Sequence, residues 1–301
     1  MFVSYANLQA ATSSYTLKEI RKIAVIGAGT MGSGIAQMSA LSGHQTLLYD
    51  IDASRLEKAV QKIAGNLDGG IKRGKLTQEE KDQCLALIRT TDDLLDLKAD
   101  FIVEAIVEKL HIKVDLFKQL SALNDSDAIF ATNTSSIPIT RIAAGVPHPE
   151  RVVGMHFFNP AHIMKLVEVI SGAATSPAVA QATFELAKKM GKKAVMAKDA
   201  PGFIVNRVAR QFYLESLKAL EEGVASVETI DAIIENNGFR MGPFKLMDLI
   251  GVETNHSVTT SMFDSFFQEA RFKPSRIQQQ KVDAGQHGRK TGHGFYEYPA
   301  S

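Results

Sequence analysis

The sequence predicts an α/β chain, with a doubly wound, largely parallel sheet in its first two thirds and a helical domain after it. Three observations carry this expectation. Short apolar runs rich in β-branched residues alternate with segments whose apolar residues recur every three to four positions. The first such run is joined to its helix by a glycine turn. From Asp199 onward the strand-like runs cease and only helical spacing continues.

The first 20 residues hold neither a basic segment followed by a long apolar core nor any Arg, so they read as a loosely tied extension over 1–20 rather than a leader. Ile23–Ile26 is the first buried-strand candidate. Gly27, Gly29 and Gly32 then match G-x-G-x-x-G, and Met31, Ile35 and Met38 begin a helix. A second run, Thr46–Tyr49, ends in Asp50, 23 positions after Gly27. Leu56, Ala59, Val60 and Ile63 are spaced as a helix face, and this helix is expected to break at Gly69-Gly70. Thr77 with Glu80 forms a capping-box pattern for a helix running through Leu85 to Ile88. Phe101–Ile106, Ala128–Ala131, Val152–Phe158, Leu166–Ile170 and Lys193–Ala197 supply further strands, with a helix over Ile112–Leu123.

The expected boundary follows Lys198, giving a first domain over 21–198 and a helical one over 199–301. Pro201 is placed at a helix start. Ile204, Val208 and Phe212 give that helix more apolar surface than one packing face needs, and so a role between domains or subunits. Further helices are expected around Ile230–Ile234 and Val258–Phe267.

Composition narrows the function classes. Hydrophobic content of 45% and charged content of 22% are those of a globular protein, and a net charge of +1 offers no attraction for nucleic acid or an anionic membrane. No apolar run approaches the roughly 20 residues that span a bilayer. Cys84, the single cysteine, excludes an internal disulfide framework and fits a reducing compartment, so the expected setting is cytoplasmic.

The glycine turn points to a dinucleotide. Gly27 permits the tight turn, Gly29 admits a pyrophosphate close to the backbone, and Gly32 lets the helix pack on the strand. The first-turn N–H groups and the helix dipole attract the anion along Gly27, Ala28, Gly29, Thr30, Met31 and Gly32. Asp50 would accept hydrogen bonds from ribose hydroxyls and repel a 2′-phosphate, which favours NAD over NADP. In a Rossmann-type sheet ligands sit beyond the carboxyl ends of the strands, which places Glu108 and Thr132-Asn133-Thr134-Ser135-Ser136 on the same rim.

Hydride transfer from a secondary alcohol needs a base for the hydroxyl proton, and no metal is called for. His156 stands among apolar neighbours in Met155-His156-Phe157-Phe158 and titrates near neutral pH when unperturbed. Glu168 is an acid inside the apolar run Leu166–Ile170, costly to bury unless paired. Strands joined by the Asn159–Lys165 loop would bring the two together. Ser135 and Asn206 add a hydroxyl and an amide for a developing charge on oxygen. Between Arg55 and Lys81 seven cations face four anions, read either as a solvated helix face or as a landing site for a phosphorylated ligand near Lys72-Arg73.

At these residues the chain resembles the L-3-hydroxyacyl-CoA dehydrogenases, including the short-chain 3-hydroxybutyryl-CoA enzymes. GAGTMGSGIAQ, EAIVE, NTSS, HFFNP, KLVEV, PGFIVNR, GPFKLMDLIG and GRKTGHGFYEY carry the resemblance, over most of the span from Lys22 to Tyr298. It implies that His156 is the base paired with Glu168, and that Ser135 and Asn206 hold the substrate's C3 oxygen. It also implies that Asp50, Glu108, Lys113, Asn133, Asn159 and Lys290 join the glycine turn around NAD. Arg73 would meet coenzyme A phosphates, although Gly69-Gly70 replaces residues that are often basic in that arm. An acyl-CoA substrate, fatty-acid or butyrate metabolism and a homodimer through the second domain are the corresponding expectations. Two rivals are a dehydrogenase of free β-hydroxyacids, whose helical lysine has no counterpart in Gly202–Gln211, and a non-catalytic NAD-binding protein.

Overall fold

The computed structural model describes residues 19–299, so all but the last two positions of the expected N-terminal extension lie outside the described residues. The chain divides into two compact units, one ending at Asp199 and the other starting at Ala200.

In the first unit the elements are β1 (Lys22–Ile26), α1 (Thr30–Leu41), β2 (Gln45–Tyr49), α2 (Ala53–Lys72), α3 (Gln78–Ala86), β3 (Ile88–Thr91) and β4 (Phe101–Glu104). They continue with α4 (Leu110–Leu123), β5 (Ile129–Thr132), α5 (Ile139–Ala143), β6 (Val152–Phe157), β7 (Leu166–Ser171), α6 (Pro177–Lys189) and β8 (Lys193–Lys198). One eight-stranded sheet results, in the order β3-β2-β1-β4-β5-β6-β7-β8. Strands β3 to β6 run parallel, and β7 turns back antiparallel to β6 with β8 parallel to it. Strand order reverses between β1 and β4, the switch point at which such sheets open a crevice. The central strands are buried on both faces: Ile23, Ala24, Val25, Phe101, Ile102 and Val103 have no exposed surface.

Two expectations fail here. The helix does not break at Gly69-Gly70. α2 runs on to Lys72, because its face of Leu56, Ala59, Ile63 and Leu67 is buried and a glycine costs a helix only about 1 kcal/mol. Gly70 is in fact needed there, since a Cβ would come 2.8 Å from Leu76 Cδ1. The second failure concerns Ile88, which is not helical but opens β3, pairing Ile88 with Thr46.

The second unit is helical: α7 (Val205–Glu221), α8 (Val227–Asn236), α9 (Pro243–Ile250), α10 (Val252–Ser265) and α11 (Arg276–Asp283). Leu217, Phe244 and Met247 form its core with Tyr213. Buried Asp231 accepts from the Phe244 and Lys245 amides and from the Tyr296 hydroxyl, while Asp248 accepts from the Phe295 and Tyr296 amides and the Tyr298 hydroxyl. Through Asp248 these bonds tie GPFKLMDLIG to GFYEY. Burial beside Asp248 pushes the Tyr298 phenol up to about 12.

Pro201 does not start a helix. It leads a turn in which Gly202 and Phe203 have φ of 74° and 49°, and α7 begins at Val205. Ile204 and Val208 are 42% and 71% exposed within the chain, and the buried face of α7 instead carries Arg210, Tyr213, Leu214 and Leu217. Phe267 lies beyond α10 and is exposed. Among the described residues no helix is long and apolar enough to cross a membrane.

Candidate active site

The glycine turn follows β1 at the switch point. Gly27 has φ of 99°, and a Cβ there would sit 2.7 Å from the Ala105 carbonyl oxygen. At Gly32 a Cβ would fall 1.6 Å from the Gly27 oxygen, so the turn itself demands both glycines. Gly29 differs. No protein atom lies within 4 Å of its would-be Cβ, so packing gives no reason for a glycine, whereas a close ligand would. α1 starts at Thr30 with no side-chain cap, leaving its first-turn amides for an anion. Asp50, at the end of β2, accepts from the Ala28 amide at 2.8 Å and the Asp52 amide at 3.1 Å. Each of its oxygens keeps a lone pair that ribose hydroxyls could use. Turn, helix end and acid therefore fit a dinucleotide.

Beside the turn, a charged cluster orders the segment after β5. Glu104, fully buried at the end of β4, accepts from Lys113 Nζ at 2.6 Å, Thr132 Oγ1 at 2.7 Å and the Ile106 amide at 2.8 Å. Lys113 is 1% exposed and also pairs with Glu108 at 3.2 Å. Glu108 in turn accepts from Thr134 Oγ1, the Ser135 and Ser136 amides and Ser136 Oγ. The NTSS segment is thus folded around one carboxylate. Burial alone would raise the Glu108 carboxyl, but the Lys113 charge and these donors outweigh it and hold it below its usual value of 4.5. Glu108 therefore contributes stability that is fully present above pH 4.5 and is lost as pH falls through the lowered folded value. In urea unfolding from pH 6 to pH 3, Glu108→Gln is expected to be less stable than the wild type at pH 6. The gap should close towards pH 3, whereas a gap independent of pH would refute this role.

His156 and Glu168 face each other across β6 and β7 in direct register. Glu168 is fully buried and His156 is 6% exposed, with His156 Nδ1 2.8 Å from Glu168 Oε2. The pairing follows from antiparallel strands, in which directly opposed residues project to one face. Because β6 is parallel to β5, its carboxyl end carries His156 to the same rim as the glycine turn. Asn133 Oδ1 accepts from the Phe157 amide at 2.8 Å, tying the NTSS segment to the strand of His156. Phe158 packs its ring on His156, with centroids 4.6 Å apart.

The loop after His156 is held from below by a lysine that sequence reasoning missed. Lys192, 7% exposed, donates to the Ala161 and Met164 carbonyls, and burial pushes its ammonium down to about 8. A cleft of about 120 Å³ opens beside this loop, lined by Thr30, Ser33, Lys62, Asn66, Asn159 and His162. His162 is held below its usual value by burial and by the charges of Lys192, Lys62 and Arg73, so these cations share one field. Arg73 caps the end of α2 and folds back over Gly69.

Asn206 lies in the first turn of α7, in the second unit. Lys290 sits in a short 3₁₀ turn there, paired with Glu253. The first unit thus gathers Gly27–Gly32, Asp50, Glu108, Asn133, Ser135 and His156 at one sheet edge with Glu168 behind, while Asn206 and Lys290 belong to the other unit.

Residues 22–200 match the family model described as 3-hydroxyacyl-CoA dehydrogenase, NAD binding domain, and residues 202–298 match 3-hydroxyacyl-CoA dehydrogenase, C-terminal domain. The chain is 49% identical over 283 residues to the 3-hydroxyadipyl-CoA dehydrogenase of Escherichia coli (strain K12), an alignment covering 93% of this chain and 60% of that protein. This chain thus spans about three fifths of that relative's length. It is 40% identical to the 3-hydroxybutyryl-CoA dehydrogenase of Bradyrhizobium diazoefficiens, covering 93% of this chain and 96% of the relative. The crystal structure of (S)-3-hydroxybutyryl-CoA dehydrogenase from Ralstonia eutropha superposes with a TM-score of 0.90 at 39% identity, covering 94% of this chain and 100% of that one.

Proposed function

Because the chain belongs to the 3-hydroxyacyl-CoA dehydrogenase family, whose NAD-binding and C-terminal domains it carries in order, we propose that it interconverts an L-3-hydroxyacyl-CoA and its 3-ketoacyl-CoA. The observation that supports this most is the buried His156–Glu168 pair on the rim that also carries the dinucleotide turn. NAD is the cofactor, and when bound it supplies the hydride acceptor and donor.

The chain's own residues do the rest. With Nδ1 committed to Glu168, His156 takes the C3 hydroxyl proton on Nε2 in the oxidative direction and returns it in reduction. Glu168 fixes the tautomer and steadies the imidazolium that forms. Ser135 and Asn206 hold the C3 oxygen. Glu108 shapes the turn that carries Ser135, and Lys113, itself buried, acts by bridging the Glu104 and Glu108 carboxylates. Asp50 selects against a cofactor bearing a 2′-phosphate. Lys290 completes the cofactor site, and Arg73 with Lys62 offers positive charge to coenzyme A phosphates.

Each reduction consumes one proton, so the ratio of hydroxy to keto product at equilibrium should rise about tenfold for each unit fall in pH. A pH-independent ratio would show that no proton accompanies the reaction. The direct test of function is NADH consumption with 3-ketoacyl-CoA, repeated with NADPH; rapid loss of NADH absorbance and little of NADPH is the expected result. The relatives' names carry two acyl types, butyryl and the longer adipyl, which ends in a second carboxylate. The proposal extends to a cytoplasmic homodimer serving fatty-acid or butyrate metabolism, with the second domain as the dimer surface, which sedimentation would test.

A further inference from the structure

The cleft beside the loop that follows His156 gathers positive charge with no acid to answer it. Three elements of the first unit wall it: α1 with Thr30 and Ser33, α2 with Lys62 and Asn66, and the loop with Asn159 and His162. The loop is firmly seated. A Cβ at Gly34 of α1 would come 3.0 Å from Ala161 Cβ, and Lys192 donates to the Ala161 and Met164 carbonyls. His162 lies in sequence between those two anchored residues, so its place on the cleft wall is fixed.

The charged groups that bear on His162 are Lys62 and Arg73 from α2 and Lys192 from the turn before β8, all of them cations. α1, reading TMGSGIAQMSAL, contributes no charge. Among the described residues no carboxylate pairs with Lys62, Arg73, Lys192 or His162, and Asp68 of α2 is taken by Lys81. Burial, and then the charges of Lys192, Lys62 and Arg73, hold His162 below its usual value of 6.5, so the ring is neutral at pH 7. A phosphate reverses this field. It attracts the imidazolium far more than the neutral ring, so its arrival favours protonation, and by linkage a fall in pH favours its binding. The dinucleotide's phosphates are assigned above to the glycine turn, which leaves coenzyme A for the side that faces α2.

We propose that His162 takes up a proton from solvent as an acyl-CoA docks and binds a coenzyme A phosphate as its imidazolium, so that the enzyme's affinity for acyl-CoA is proton-linked. This rests on the dehydrogenase function proposed above. The test is calorimetric titration of the enzyme with coenzyme A, and separately with NADH, at pH 8 and pH 6. Two buffers of different ionisation enthalpy read proton uptake together with affinity. At pH 6 the wild type should bind coenzyme A about fivefold to tenfold more tightly than His162→Gln, since one unit of pKa change is about tenfold in affinity. The two should converge at pH 8, and the wild type should take up more protons on binding. Titration of the coenzyme A phosphates themselves is common to both and cancels. His162→Lys, charged throughout, should keep the tighter binding at pH 8 without the wild type's extra uptake.

Equal affinity and equal proton uptake in the wild type and His162→Gln at both pH values overturn the assignment. So does a His162-dependent linkage seen with NADH and not with coenzyme A, which would give the cleft to the dinucleotide, and so does an absence of coenzyme A binding at either pH. The dehydrogenase reading fails separately. Coenzyme A binding with the expected linkage, but no oxidation of NADH by acetoacetyl-CoA, would keep His162 as a phosphate contact and remove the reaction.

Discussion

Replacing His156 by Ala is expected to lower kcat by about 10²–10⁴-fold, the usual cost of losing a positioned acid–base group. The imidazole lies on a strand buried on both sides and is held by Glu168 at 2.8 Å, so its removal takes away the proposed proton acceptor without touching the glycine turn. NADH binding, followed by fluorescence, should therefore persist while turnover collapses. Glu168→Gln should fall between wild type and His156→Ala, since it keeps the ring in place but weakens support for the imidazolium. A His156→Ala enzyme with near-native kcat would remove His156 from the reaction.

Gly32→Ala is expected to weaken NADH binding by about 100-fold or more. A methyl group at residue 32 would fall 1.6 Å from the Gly27 oxygen, far inside van der Waals contact, and the Gly27 oxygen and carbonyl carbon it meets are backbone that cannot swing away. Relief requires the turn to open or α1 to move off β1. Overpacking of this kind costs about 3 kcal/mol at the upper end of its usual range, or two decades in affinity. Gly29→Ala provides the contrast. Its Cβ would meet no protein atom, so folding should be unaffected and any loss must come from the ligand. If Gly32→Ala bound NADH as the wild type does, the turn would not be the cofactor's seat.

Much of the candidate site's geometry was legible because polar residues in buried strands need a reason to be there. His156 and Glu168 each interrupt an apolar run, and a short loop between the runs leaves antiparallel pairing as the simplest arrangement. The same reasoning applies to Glu104, an acid closing Phe101-Ile102-Val103, yet its role in gathering Lys113 and Thr132 emerges only from the packed sheet. Lys192 gave no such signal. It follows a helix end in a run of lysines, and only the fold brings its ammonium beneath the Ala161 and Met164 carbonyls.

Errors in the fold have equally physical origins. β3 is an edge strand whose four residues, Ile88–Thr91, hold one apolar side chain, so no alternation announces it. Gly69-Gly70 looked like a helix end because glycine is a poor helix former, but the packing of Leu76 onto Gly70 outweighs propensity. In α7 the apolar stripe of Ile204 and Val208 drew the helix face to the wrong side, since the buried side contains an arginine.

The central claim, that the dinucleotide turn and the His156–Glu168 pair together reduce a 3-ketoacyl-CoA, is tested most directly by one stopped-flow measurement. NADH absorbance is followed after mixing enzyme and NADH with acetoacetyl-CoA, with free acetoacetate and NADPH in parallel. The account predicts stoichiometric oxidation of NADH by the thioester, with far slower reaction for the free acid and for NADPH. Tight NADH binding with no oxidation by the thioester would contradict it.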